Sequence, residues 1–136
     1  MSILLVVVLV IVALLVGFVG LMIFSNLMII KRTNKLKGEP LPDLPGELGK
    51  QLKNAERAVL YFFSPNCAAC RMLTPKFREM KEQGKPVHLI NLRDQLDLAR
   101  AMKIMATPTT LEIEKGLVVG VHVGPITPDD MARIEG

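Results

Sequence analysis

The chain alternates between long apolar stretches and short polar breaks, and the first stretch is unlike the rest. From Ser2 to Ile30 no side chain carries a charge, and Leu, Val and Ile dominate. A bilayer core of about 30 Å needs about 20 apolar residues in a helix, so residues 2–30 are expected to form a transmembrane helix. A removed signal sequence is the alternative. The run is too long for a signal-peptide core, lacks a basic start and shows no convincing small-residue cleavage site.

Beyond Gly38 the pattern becomes that of a small folded domain. Residues 31–45 read as a basic juxtamembrane segment and a Pro-rich linker, Lys37-Gly-Glu-Pro-Leu-Pro-Asp-Leu-Pro-Gly46, extended by its prolines. The domain proper is expected over 46–136, enough for one core. Glu47–Glu56 reads as a short polar helix. Ala58-Val-Leu-Tyr-Phe-Phe63 is a continuous apolar run, as in a strand covered on both faces. Cys67–Gln83 reads as a helix with Pro75 inside it, ended by Gly84. Pro86–Asn91 is a second apolar strand, and Asp94–Met102 a helix opened by Asp94. Thr109–Glu114 and Leu117–Val123 alternate around Lys115-Gly116, a β-hairpin. Thr127-Pro128-Asp129-Asp130 opens a last helix with a capping hydroxyl, a proline and acids. The order αβαβαββα defines an α/β domain, a central sheet with helices on both faces.

Composition then sharpens the picture. The net charge of +4 over 136 residues has one source. Lys31, Arg32, Lys35 and Lys37 follow the apolar run, and the remaining 13 basic residues balance the 13 acidic ones. With no basic face left on the domain, nucleic-acid binding is excluded as a function class. Lys and Arg collect on the cytoplasmic side of membranes, which puts the domain in the cytoplasm. The extracytoplasmic side is the alternative.

The candidate chemistry is carried by Cys67 and Cys70, the only two cysteines. Positions i and i+3 on a helix face one side, close enough for a disulfide. Cys67 stands where strand gives way to helix. There backbone N–H groups and the helix dipole stabilise a thiolate, the nucleophilic form. Cys67 is therefore expected to attack and Cys70, one turn deeper, to resolve the mixed disulfide. Redox cycling competes with a static bridge, which would constrain little chain, and with a zinc site, which usually needs four ligands. The histidines, His88 and His122, fall inside strand runs and read as ordinary strand residues. No metal and no cofactor beyond the Cys67–Cys70 disulfide is expected.

At this point the chain resembles the thioredoxin family, from about Ala58 to Glu135. The strand Val59–Ser64 leads into Cys67-x-x-Cys70, Pro75 lies five residues after the second cysteine, Ile104-Met-Ala-Thr107-Pro108-Thr109 is similar to the family's cis-proline loop, and Glu114-Lys-Gly116 and Val123-Gly124 fall at its hairpin and last strand. The resemblance implies a thioredoxin-like fold and a cis Thr107–Pro108 bond against the cysteines. Thr107, Pro108 and Asn66 become the substrate-binding candidates, receiving an extended peptide by strand-like hydrogen bonds. Read from the residues alone, Pro108 could simply open a strand. The chain also departs from the family. Ala68-Ala69 replaces Gly-Pro, Asn66 replaces an aromatic, Tyr61 stands at the buried acid's position and Leu89 at its partner lysine's, and the first edge strand has no counterpart.

Together these readings imply a membrane-tethered protein thiol–disulfide oxidoreductase acting on membrane-associated protein disulfides. A thioredoxin-like accessory subunit of a membrane complex, without catalysis, is the alternative.

Overall fold

The structure is a computed structural model and describes residues 2–136. It divides into two compact units that meet between Lys31 and Arg32.

The N-terminal unit is helical. Helix α1 runs Ile3–Asn34, and its Ile3–Arg32 stretch is strongly apolar with its side chains exposed. Thirty residues rise about 45 Å, more than a hydrocarbon core requires. Its apolar side chains point outward all round, from Ile3 through Phe18 to Ile30. In water such a surface is unfavourable on every side. The helix is long and apolar enough to cross a bilayer.

The second unit holds helices α2 (Gly46–Asn54), α3 (Ala68–Glu82), α4 (Leu96–Ala101) and α5 (Pro128–Glu135), with strands β1 (Arg57–Phe63), β2 (Val87–Asn91), β3 (Thr109–Glu114) and β4 (Leu117–Val123). The strand order is β2-β1-β3-β4. Strands β1 and β2 are parallel, with Val59 opposite Val87. The pairs β1–β3 and β3–β4 are antiparallel. The sheet is therefore mixed, as the resemblance to the thioredoxin fold implies.

Strand β1 explains its own composition. Alternate residues of a strand point to opposite faces. Ala58, Leu60 and Phe62 pack with Leu52, Ala99, Met102 and Leu111 on one face. Val59 and Tyr61 pack with Phe77, Met80, Met131 and Ile134 on the other. Helices α2 and α4 thus cover one side, and α3 and α5 the other. A strand buried on both faces needs no polar positions, hence the unbroken apolar run.

The segment expected as an extended linker turns at residues 35–38 and docks against the domain. Gly38 N–H donates to the Val118 carbonyl at 2.7 Å, Val118 N–H to Glu39 at 3.1 Å, and Leu41 N–H to Gly116 at 2.8 Å. Pro40 thereby bridges Leu117 on the outer edge of β4. Leu36, Leu41 and Leu44 are buried in the α2/α4-side core. An exposed strand edge is thereby covered.

Helix ends follow local chemistry, with two departures. Thr127 caps α5 by accepting from Asp130 N–H at 3.2 Å. Asp94, expected to open α4, instead accepts from Asn91 Nδ2 at 2.8 Å, and α4 starts at Leu96. Helices α3 and α4 close with the same pair of bonds. In α3, Lys85 N–H donates to Met80 and Gly84 N–H to Lys81; in α4, Ile104 N–H donates to Ala99 and Lys103 N–H to Arg100. Both are Schellman ends, which place one residue in the left-handed region. In α3 that residue is Gly84 (φ 80°); in α4 it is Lys103 (φ 54°). A side chain there costs roughly 1–2 kcal/mol that glycine avoids.

Candidate redox site

The site forms where β1 ends. Residues 64–66 turn the chain, and Cys67 caps α3 in an extended conformation (φ −89°, ψ 116°). Cys70 N–H donates to Cys67 Sγ at 3.2 Å. The sulfur thus lies at the positive end of a 15-residue helix, where a thiolate is stabilised. Cys67 and Cys70 are joined in a disulfide with their Cα atoms 5.2 Å apart. Cys70 is 1% exposed, whereas Cys67 is half-buried and open to one side.

Two loops meet over Cys67. The Thr107–Pro108 peptide bond is cis, and the Thr107 carbonyl oxygen lies 3.6 Å from Cys67 Sγ. Pro108 is buried and Thr107 half-buried. Thr109 Oγ1 donates to Ala106 at 2.8 Å and Gly124 N–H to Pro108 at 2.8 Å, which tie the loop to β3 and the end of β4. Cys67, Cys70, Thr107 and Pro108 are therefore gathered in one place. Asn66 is exposed on the approach to Cys67.

Beneath the disulfide lies a pair of hydroxyls. Thr74 Oγ1 donates to the Cys70 carbonyl at 2.7 Å, so Tyr61 donates to Thr74 Oγ1 at 3.1 Å. The Tyr61 hydroxyl is also 3.3 Å from the Cys70 carbonyl. The Tyr61 ring is fully buried and stacks on Phe77 at 4.1 Å and on Phe63 at 5.7 Å. Burial pushes its phenol above the ordinary tyrosine value, a shift the Thr74 bond partly offsets. The ring is thus a neutral donor at physiological pH. Sequence reasoning singled out Tyr61 as a replaced acid and missed Thr74. The signal for Thr74 was its i+4 spacing from Cys70, which puts a helical hydroxyl within reach of that carbonyl.

Cys70 also borders a cavity of about 360 Å³, lined among others by Arg71, Thr74, Arg78 and Asn91. Its charged lining residues, among those described, are the two arginines. Among the described residues no group of three or more His, Cys, Asp or Glu side chains could hold a metal ion. His122 instead meets Glu112 Oε1 at 2.8 Å.

A dithiol at a helix start, facing a cis-proline loop on a mixed sheet, defines a thiol–disulfide exchange site on a thioredoxin-like fold. Comparison with known proteins agrees. The thioredoxin family profile matches residues 45–134, and the chain belongs to the thioredoxin family. Over 75 residues it is 36% identical to mitochondrial thioredoxin of Mus musculus, covering 52% of this chain and 45% of that one. Over 72 residues it is 28% identical to thioredoxin of Mycoplasma pneumoniae, covering 52% and 71%. The chain thus spans about half the length of the mouse relative. The reduced Schistosoma mansoni thioredoxin pre-protein superposes with a TM-score of 0.57 at 26% identity, over 71% of this chain and 97% of that one. Malassezia sympodialis thioredoxin shares the fold at a TM-score of 0.55 and 20% identity, over 71% and 91%.

Proposed function

We propose that this protein is a membrane-tethered thiol–disulfide oxidoreductase, with Cys67 as the attacking and Cys70 as the resolving sulfur. The observation that carries this reading is the asymmetry of the pair: Cys67 is open beside the Thr107 carbonyl, while Cys70 is 1% exposed. A protein disulfide can be reached only by Cys67. Its thiolate attacks one substrate sulfur, the substrate S–S bond breaks, and the other substrate sulfur leaves as a thiolate. Cys70 then attacks Cys67 Sγ, closing the 67–70 disulfide and releasing the second substrate thiol. Two electrons pass to the substrate, and the two protons lost by the cysteines end on its thiols. The reverse sequence oxidises a substrate dithiol.

Supporting residues follow from the geometry. The Thr107 carbonyl and the Pro108 loop would receive an extended peptide, with Asn66 at its approach. Arg71 and Arg78 line the cavity beside Cys70, through which a substrate chain could approach. In this reading 2–30 spans the membrane, 31–45 connects, and 46–136 carries the chemistry. The domain faces the cytoplasm, as the basic cluster at 31–37 suggests, and the substrates are membrane-associated protein disulfides.

Two experiments test the proposal. The full chain, supplied with a dithiol donor, should reduce a protein disulfide, and Cys67→Ser with Cys70→Ser should abolish that activity. Unchanged activity would refute it, whereas an inactive parent would favour the accessory-subunit reading. For topology, Glu82→Cys in that double-serine background, on the exposed face of α3, should resist a membrane-impermeant thiol reagent in intact cells. Labelling would place the domain outside.

A further inference from the structure

We propose that Arg32, Lys35 and Lys103 form a binding site for the phosphate of an anionic lipid headgroup, which rests on the reading of α1 as a membrane span. These residues line a cavity of about 320 Å³ together with Leu36, Glu39 and Met105. Three cations face one carboxylate. The carboxylate of Glu39 stands 3.9 Å from Lys103 Nζ, a loose pair between largely exposed groups, so it leaves Lys103 free to turn to a stronger anion. Leu36 is buried at the base and Met105 is half exposed at the rim. The cavity therefore offers a cationic wall for phosphate and an apolar one for the glycerol and upper acyl chain.

The second observation is backbone strain. Lys103 occupies the left-handed position of a Schellman end (φ 54°), where α3 uses Gly84. A lysine at this position is sterically costly, and strained residues of this kind cluster at active sites and ligand clamps. Here that side chain faces the cavity.

The third observation names the occupant. Arg32 ends the apolar stretch Ile3–Arg32, so chain connectivity alone keeps this wall of the cavity at the headgroup layer. Juxtamembrane Lys and Arg attract anionic lipids there. Met105 stands two residues before Thr107, so an occupied site would abut the loop that faces Cys67.

The test uses the full chain with 13C-methyl methionine, in nanodiscs of phosphatidylcholine with and without phosphatidylglycerol. The Met105 methyl signal should shift as phosphatidylglycerol is added. Lys103→Gly should raise the phosphatidylglycerol needed by about fivefold, the order of one basic contact at a headgroup. The same variant should melt no lower than the parent, because it relieves the strained position. Lys81→Ala, on α3, should leave the titration unchanged. An unresponsive Met105, or an equal titration in Lys103→Gly, would overturn the proposal. So would the same shift produced by inorganic phosphate in discs of phosphatidylcholine alone, which would mean a free-anion site. Alkaline carbonate extraction of vesicles reports the span separately. Release of the chain overturns both readings, whereas retention with an unresponsive Met105 overturns the headgroup site alone.

Discussion

The Tyr61 hydroxyl lies 3.1 Å from Thr74 Oγ1, and Thr74 in turn donates to the Cys70 carbonyl at 2.7 Å. A strand residue and a helix residue thus share one buried donor chain beneath Cys70. Tyr61→Phe keeps the ring on Phe77 and removes only the outer hydroxyl, which should cost about 1 kcal/mol. For a domain of this size that is a fall in Tm of about 4–8 °C. Thr74→Val should cost more, because it leaves a buried phenol with only the 3.3 Å contact to Cys70. Thermal melting of the full chain in detergent ranks the two.

Gly49 lies in α2 against the incoming chain. A Cβ there would sit 2.0 Å from the Leu44 carbonyl oxygen, a backbone atom. Helix propensity favours Gly49→Ala by up to about 1 kcal/mol. The overlap outweighs this, since overpacking typically costs about 1–3 kcal/mol and backbone cannot rotate away. Gly49→Ala should therefore lower the Tm, and limited proteolysis should cut first between residues 38 and 45.

Glu112 is buried between β4 and α5, with His122 at 2.8 Å, Arg133 at 3.4 Å and Arg57 at 3.8 Å. Replacing it with leucine leaves these partners without their shared acceptor. The expected loss is about 1–3 kcal/mol, read as a lower melting temperature. Asp43 pairs with Lys53 on the open surface, and Asp43→Asn should leave the melting curve where it was.

Half-buried His88 supplies a pH dependence. Burial, and then the charge of Lys81, hold its imidazole below the usual histidine value. The unfolded chain therefore binds this proton more readily than the folded one. Above the ordinary value of about 6.5 the ring contributes no pH dependence, and stability falls as pH drops from there toward the lower folded value. His88→Gln should flatten the decline in Tm as the pH falls below about 6.5. An unchanged slope would assign that decline to other groups.

Much of this was legible in the sequence because the signals were local. Strand β1 shows as an apolar run because both its faces are buried, and Thr127-Pro128 marks the start of α5 by cap chemistry. The Cys67–Cys70 spacing shows the dithiol directly, and the likeness to thioredoxins brought Thr107 against it. What stayed hidden depends on distant partners. Leu36, Leu41 and Leu44 have no helical or strand period, and their burial follows from pairing with β4 some 75 residues away. Asp94 obeys the capping rule by type but is captured by Asn91. Glu112 alternates as a solvent-facing residue should, yet α5 covers it. Nothing around Lys103 announces a left-handed backbone.

The division of labour between the two sulfurs is tested most directly by trapping. The reduced Cys70→Ser full chain, mixed with a protein disulfide, should accumulate a covalent adduct that mass spectrometry maps to Cys67. Cys67→Ser should form none, because Cys70 is 1% exposed. An adduct on Cys70 of the Cys67→Ser chain, forming as fast as that on Cys67, would contradict the assignment of attacking and resolving sulfur.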